Sequence, residues 1–249
     1  MRLFILAAGT GTRLLPLTKN TPKSLLDLGD GTNLLERQIA NAGEVSELKE
    51  VVVITGYKTE QIEAKIRGLD NNLKVTTLFN PFFDISNNLL SLWCANHLME
   101  DDFVITNGDN IYKESVIINF ISEYKNQDGI HLTIDKKDIY DDDDMKVSFN
   151  NKGFISRVHK DIETSEAESE SVGLVLVKGK KYRDLFKSKL IELSKLPAYR
   201  NKFWLEVFNS MIEDGVTVDK YEIDKDDWRE MDFHPDMTII KEAMKNRLI

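Results

Sequence analysis

The chain has 249 residues, 41% hydrophobic and 30% charged, which suits one large globular α/β domain with a substantial core and excludes wholesale disorder. A net charge of −9 and a pI near 5.1 argue against nucleic acid as partner, so an anionic small molecule must be held by local positive charge. One cysteine, Cys94, excludes an internal disulfide; only six apolar residues follow the basic N-terminus, and no run approaches the roughly 18 of a membrane span, so a cytoplasmic protein without a membrane partner is expected.

The first predicted element, Leu3 to Ala8, is an unbroken apolar run with the length of a strand buried on both faces. It stops at Gly9-Thr10-Gly11-Thr12-Arg13. Glycines there let the backbone approach a ligand, and successive N–H groups in such a turn make an anion-binding nest. Arg13 adds a planar fork that suits phosphate oxygens, and Pro22 stiffens the chain ahead of Lys23, a point charge able to follow charge developing on phosphorus. The stretch reads as a polyphosphate cradle. A dinucleotide fingerprint fits less well: Leu14 fills the third glycine position, Pro16 and Pro22 break the helix that should follow, and Asp27 does not end a strand. A P-loop needs Gly-Lys followed by Ser or Thr, which occurs nowhere in the chain. An ordinary strand-to-helix turn is the remaining alternative.

Leu6-Ala7-Ala8-Gly9-Thr10-Gly11-Thr12-Arg13-Leu14, with Pro16, Thr18 and Pro22-Lys23, resembles the signature of the nucleotidyltransferases that make sugar nucleotides and CDP-alcohols. The resemblance implies a Rossmann-like, three-layer α/β fold with a mostly parallel central sheet. It also implies that the loop, with Leu6, holds a nucleoside triphosphate and that Lys23 contacts the reacting phosphates.

Asn33 is placed to cap a helix carrying Leu34, Leu35 and Ile39 on one side. Glu50 to Thr55 is a second buried strand ended by Gly56, Thr59 to Arg67 a short helix, and Lys74 to Phe79 a third strand. This alternation implies a parallel sheet with right-handed crossovers, whose ligands gather at the strands' carboxyl ends, where Gly9, Gly56 and Asn80 fall. Leu89 to Met99 reads as a helix whose leucines and Cys94 are core residues. Asn87, Asn88 and Ser91 at its start cap it or read a base edge. The segment Asn87 to Leu92 resembles the choline-phosphate and aminoethylphosphonate cytidylyltransferases more than the glucose-1-phosphate enzymes, which implies CTP and assigns Asn88 and Ser91 to the nucleotide.

Phe103 to Thr106 is a fourth buried strand delivering Asn107-Gly108-Asp109-Asn110. An acid directly after a buried strand is poorly placed for packing; it makes an Asx turn or binds metal. In the resembled family an aspartate in this context binds Mg²⁺, which implies that role for Asp109. A helix over Ser115–Lys125 and a strand over Gly129–Asp135 follow, then Asp138 and Asp141 to Asp144, an acidic stretch without calcium-loop spacing that reads as solvated and mobile. Met145 to Phe149 and Phe154 to His159 alternate around Asn150 to Gly153 and read as a β-hairpin, the best candidate for a small lid over an acceptor. Lys146 and Lys160 on it are surface lysines or, by resemblance to the cytidylyltransferases, face phosphates or the acceptor. Glu170, ahead of Val172-Gly173, resembles a position near the acceptor, without the usual preceding glycine.

Ser171 to Val177 is a strand, Lys181 to Lys195 an amphipathic helix ended by Pro197, and a helix follows over residues 201–213. Trp204 and Glu206 offer an aromatic face and a counter-charge for an amine or trimethylammonium head, or are one buried and one exposed helix residue. Val216 to Ile223 is the last long strand, and Pro235 starts a helix to Leu248. Between them, Trp228-Arg229-Glu230-Met231-Asp232 resembles the family's second metal-binding aspartate, implying Asp232 as metal ligand with Trp228 and Glu230 as acceptor-side neighbours.

The expectation is therefore a single domain over residues 1–249, nucleotide-binding over about 1–112 and acceptor-binding over about 113–249, monomeric or a homodimer. The implied chemistry is transfer of CMP from CTP to a small phosphorylated or phosphonate acceptor, with Mg²⁺ and release of pyrophosphate, for decoration of a cell-surface glycan or lipid. Lys23, Arg13, Asp109 and Asp232 are its catalytic candidates. Alternatives are a sugar-1-phosphate transferase using UTP or dTTP, an NAD(P)-dependent oxidoreductase, and a nucleotide sensor without turnover.

Overall fold

The computed structural model describes residues 1–70 and 73–246. Apolar runs become strands: β1 (Arg2–Ala7), β2 (Glu50–Thr55) and β3 (Lys74–Phe79), with α1 (Leu34–Gly43) and α2 (Thr59–Arg67) as crossovers. A full capping box starts α1. The Asn33 side chain accepts from Glu36 N, and the Glu36 side chain accepts from Asn33 N. The chain continues through α3 (Asn88–Cys94), β4 (Phe103–Asn107), β5 (Asn110–Tyr112), α4 (Glu114–Glu123) and β6 (Gly129–Asp135). It ends with β7 (Lys146–Phe149), β8 (Ile155–Val158), β9 (Ser169–Lys178), α5 (Lys180–Ser194), α6 (Glu206–Glu213), β10 (Asp219–Glu222), β11 (Trp228–Glu230) and α7 (His234–Lys245).

The main path of the central sheet runs β10-β6-β9-β4-β1-β2-β3. Pairs β1–β2, β1–β4, β2–β3 and β6–β10 are parallel, while β9 is antiparallel to both β4 and β6. Strand β1 shows why layers form on both faces. Phe4 and Leu6 belong to one core with α3, α5 and α6. Leu3 and Ile5 belong to a second core with α1, α2 and α4. Alternate side chains thus bury against opposite helix layers, each large one stabilising by about 1.5–3 kcal/mol. A third, smaller cluster joins Leu14, Leu26 and Leu28 to Ile111, Met231 and the α7 residues Met237, Ile240 and Met244. It seats the N-terminal loop against the C-terminal helix.

The expected hairpin is present. Strand β7 pairs with β8 and also with β9, and Asn150 Oδ1 accepts from the backbone N–H of Lys152 and Phe154 in its turn. Several boundaries differ from the sequence reading. The helix expected over residues 89–99 ends at Cys94, with a 3₁₀ turn over Asn96–Leu98. The one expected from residue 201 begins at Glu206, leaving Trp204 just ahead of it. The strand expected over residues 216–223 is only Asp219–Glu222. The final helix is described to Lys245, and the expected end at Leu248 lies outside the described residues. The antiparallel pair β5–β11 was not expected: each strand has three residues, and its partner is far away in sequence. Among the described residues no helix is long and apolar enough to cross a membrane.

His131 on β6 is fully enclosed and stacks on the Tyr124 ring at 3.6 Å between centroids. Burial, partly opposed by Asp219, holds its pKa down to about 4 from 6.5. The unfolded chain therefore binds the extra proton first. The contribution to stability is intact above pH 6.5 and falls away as pH drops toward 4, by at most about 3 kcal/mol. Urea unfolding of the wild type should lose stability across that window, and His131→Phe should flatten the loss.

Candidate functional site

Strand order reverses at β1, with β2 on one side and β4 on the other. The loops leaving β1 and β4 therefore diverge and open a crevice at their carboxyl ends. A cavity of about 490 Å³ lies there. It is lined by the loop from Leu6 through Ala8, Gly9, Thr10, Gly11, Thr12 and Arg13. The two loop glycines serve different purposes. Gly11 has φ +64°, and a Cβ there would lie 2.9 Å from Thr18 Cγ2 and 3.1 Å from Lys23 Cβ, so the fold itself demands glycine. A Cβ on Gly9 would meet no protein atom within 4 Å. Its missing side chain leaves open the cavity wall rather than easing any packing. The Thr18 hydroxyl donates to Gly11 O at 2.7 Å, and the Tyr57 hydroxyl donates to Thr18 O and Lys19 O, tying the loop down.

The cavity floor is a charge cluster. Lys23 Nζ lies 2.8 Å from Asp109 Oδ2 and 2.9 Å from Asp232 Oδ1. Arg13 also pairs with Asp232. Burial alone would lower the Lys23 pKa, but Asp109 and Asp232 outweigh it and hold the ammonium charged well above its ordinary range. Burial would likewise raise the Asp232 acid, but Lys23 and Arg13 hold it below the usual carboxylate range. Asp109 Oδ1 is buried and has no hydrogen-bond partner among the described residues, a lone pair free to accept a further donor or a cation.

Two architectural contacts bring these carboxylates together. Gly108 N donates to Leu6 O at 3.0 Å, and a Cβ on Gly108 would lie 2.5 Å from that oxygen. Only glycine lets the β4 turn press against β1. Pairing of β5 with β11 then sets Glu230 opposite Asn110, and Met231 N donates to Asp109 O at 2.9 Å. Asp232 follows one residue later.

The family model described as nucleotidyl transferase matches residues 3–142, more than half of the chain. The chain belongs to the nucleotidyl transferase family. Over 113 residues it is 34% identical to the choline-phosphate cytidylyltransferase of Streptococcus pneumoniae, a match covering 45% of this chain and 47% of that protein. The chain thus spans about half the length of that relative. A CTP:phosphoglutamine cytidylyltransferase of Campylobacter jejuni is 22% identical, with 96% of this chain and 98% of that protein covered. A solved structure of the CTP:phosphocholine cytidylyltransferase from Streptococcus pneumoniae superposes with a TM-score of 0.78 at 19% identity, covering 98% of each chain. The α/β architecture is therefore the nucleotidyltransferase fold.

Within this family member, Asn88, Ser91, Lys160, Glu170, Trp204, Trp228 and Glu230 also line the cavity. Three expected site residues do not. Gly56 is glycine because a Cβ would lie 2.5 Å from Phe83 and 2.6 Å from Ala8 O, a contact between protein atoms. Lys146 is buried, and its ammonium donates to the backbone oxygens of Asp141 and Asp142 at 3.1 and 3.2 Å. Glu206 faces the outside of the hairpin, where its Oε1 lies 3.0 Å from His159 Nε2 and its Oε2 accepts from Asn209.

Of the two readings open for Trp204, the buried one holds. It is 1% exposed, its indole N–H donates to Asn107 Oδ1, and its backbone N–H donates to Asn88 Oδ1, so it offers no open π face. Its neighbour Phe203, 37% exposed, lines the cavity with Lys160 5.4 Å from its ring centroid. The acidic stretch is tied down rather than merely solvated. Asp143 grips Arg13 with both carboxylate oxygens and lies 2.6 Å from Lys160 Nζ. Nothing in a run of aspartates singles out Asp143, and only the fold reveals it. Burial, opposed by Lys137, pushes the Glu170 acid up to about 7. Desolvation reinforced by Asp109 raises the Glu230 acid above the usual range.

Gly11→Ala should cost about 2 kcal/mol from left-handed strain and the clash with Thr18, a drop of several degrees in thermal midpoint. Gly9→Ala should leave the midpoint unchanged. Equal losses in calorimetry would contradict the distinction drawn between the two glycines.

Proposed function

We propose that this chain is a nucleotidylyltransferase that joins CMP from CTP to a small phosphorylated or phosphonate acceptor and releases pyrophosphate. The observation that carries the reading is the meeting of Lys23 with Asp109 and Asp232 on the floor of a cavity walled by the glycine loop. CTP as donor is supported by the names of the relatives, which include cytidylyltransferases for choline phosphate and phosphoglutamine and a CMP-5'-(3-aminopropyl)phosphonate synthase.

Asp109 and Asp232 suit Mg²⁺, which takes one or two carboxylates and completes its shell with water and substrate phosphate oxygens. Among the described residues no group of three or more Asp, Glu, His or Cys side chains is placed to hold a metal ion by itself. When bound, the ion would supply charge neutralisation on the phosphates.

The chain's own groups do the rest. The loop N–H groups from Gly9 to Thr12 and the Arg13 guanidinium hold the β- and γ-phosphates. Lys23, kept charged by its two carboxylate neighbours, meets the charge that grows on the α-phosphate. An acceptor oxygen forms its bond to the α-phosphorus as the bond to the bridging oxygen of pyrophosphate breaks. An oxyanion acceptor needs no general base, so positioning and electrostatics carry the rate. Lys160 fits the acceptor's phosphate, while Phe203, Glu170 and Glu230 suit a polar or cationic tail.

Pyrophosphate release should require Mg²⁺, CTP and one member of a panel of phospho-alcohols, phosphonates and sugar 1-phosphates. Turnover only with UTP or dTTP and a sugar 1-phosphate would replace the acceptor class. Nucleotide binding without turnover on any acceptor would leave a sensor. Lys23→Ala should lower kcat by about two to three powers of ten with the fold intact, and Asp109→Ala and Asp232→Ala should each abolish metal-dependent turnover. Near-normal kcat in Lys23→Ala would end the proposal. Gly9→Ala should weaken CTP binding in calorimetric titration.

A further inference from the structure

Helix α1 packs Leu35, Ile39 and Ala42 into the core shared with β1 and β2. Gln38 shares that inward side and is 2% exposed. Its Nε2 donates to Asn107 O at 2.8 Å and to Asn110 O at 2.7 Å. Those two carbonyls bracket Gly108 and Asp109, the turn that delivers the candidate metal ligand. The amide orientation is fixed by chemistry, because both neighbours are acceptors and only the NH₂ end can donate. Its two hydrogens match the two carbonyls.

Side chains also anchor the ends of the turn, with Trp204 Nε1 donating to Asn107 Oδ1, Thr106 Oγ1 to Asn107 O and Asn110 Nδ2 to Val172 O, while its middle is held by backbone. Gly108 N reaches Leu6 O, and Asp109 O accepts from Met231 N. The Asp109 carboxylate itself has one partner among the described residues, Lys23, and its Oδ1 has none. Its aim therefore depends on the backbone of the turn together with the single contact to Lys23. Gln38 Oε1 is also buried without a partner among the described residues. A site selected for packing alone would not retain that cost.

We infer that Gln38 is a positioning residue: through the Asn107 and Asn110 carbonyls it sets the direction of the Asp109 carboxylate and so the affinity of the site for a divalent cation. This rests on the proposed function, in which Asp109 is a metal ligand. Removing the amide takes from the buried Asn110 carbonyl its side-chain donor and leaves Asn107 O the Thr106 hydroxyl at 3.3 Å, a cost relieved by letting the turn move away from α1. Outer contacts that orient metal ligands typically change affinity by about 10–100-fold when lost.

The test compares Gln38→Leu with Asn41→Leu. Asn41 lies on the same helix and donates to Tyr112 O at 2.9 Å, holding β5 beyond the turn. Two constants are read: the Mg²⁺ concentration for half-maximal pyrophosphate release, and Mn²⁺ binding to the protein with CTP by water-proton relaxation. Gln38→Leu should raise both by about ten-fold or more, with kcat recovered at high metal. Asn41→Leu should lower the melting temperature and leave both constants at wild-type values. Should Gln38→Leu fail to fold, Gln38→Met, unbranched and without a donor, is read in the same way. Wild-type metal constants in the Gln38 variants, or equal shifts in Asn41→Leu, overturn the inference while the proposed function stands. A wild-type protein that neither binds Mn²⁺ with CTP nor releases pyrophosphate overturns both.

Discussion

A single ammonium, Lys23 Nζ, sits within 3 Å of carboxylates that enter from distant parts of the chain, Asp109 after β4 and Asp232 after β11. The remainder of the site depends on that balance. Each cation of the cavity already has an anion: Lys23 has two, Arg13 has Asp232 and Asp143, and Lys160 has Asp143. A chain of net charge −9 offers a bare triphosphate little long-range attraction, and a locally neutralised pocket offers little more. In the proposed reaction, the triphosphate competes with these aspartates for Lys23 and Arg13. Asp109 and Asp232, once released, would be free to hold a divalent cation arriving with it.

Presenting two acids to one lysine requires close backbone contact. Gly108 allows β4 to touch β1, the three-residue pairing of β5 with β11 carries Asp232 to Asp109, and α7 fixes that pair to the loop through Met231, Met237 and Ile240. Burial raises the electrostatic stakes, since charges shielded from water interact more strongly and are costlier to leave alone. It also explains why Lys146, an expected ligand, is instead enclosed with its ammonium on two carbonyl oxygens of the acidic loop. There it ties down the loop that holds Asp143 against Arg13.

The hairpin side of the cavity is less legible in local sequence than the loop side. The aromatic residue there is Phe203 rather than Trp204, because the chain is not yet helical at 204 and the larger indole is drawn inward to Asn107. Glu206 similarly turns to His159 and braces the hairpin against α6. A one-residue offset decides which face of a turn a side chain occupies, and no local periodicity specifies that outside a regular helix or strand.

The sequence by itself determined the layered α/β architecture, since buried strands of five or six apolar residues alternating with amphipathic helices have few other ways to hide both faces. It also determined the glycine loop with Arg13 and Lys23, because glycine, proline and fixed spacing are local chemistry. No local signal in the sequence singled out Gln38. Only the tertiary structure decided that Asp109 and Asp232 share one ammonium, that Asp143 grips Arg13, and that Gln38 holds the Asp109 turn. Those contacts join segments about 70 to 210 residues apart, and they exist only where sheet order and helix packing bring such segments together.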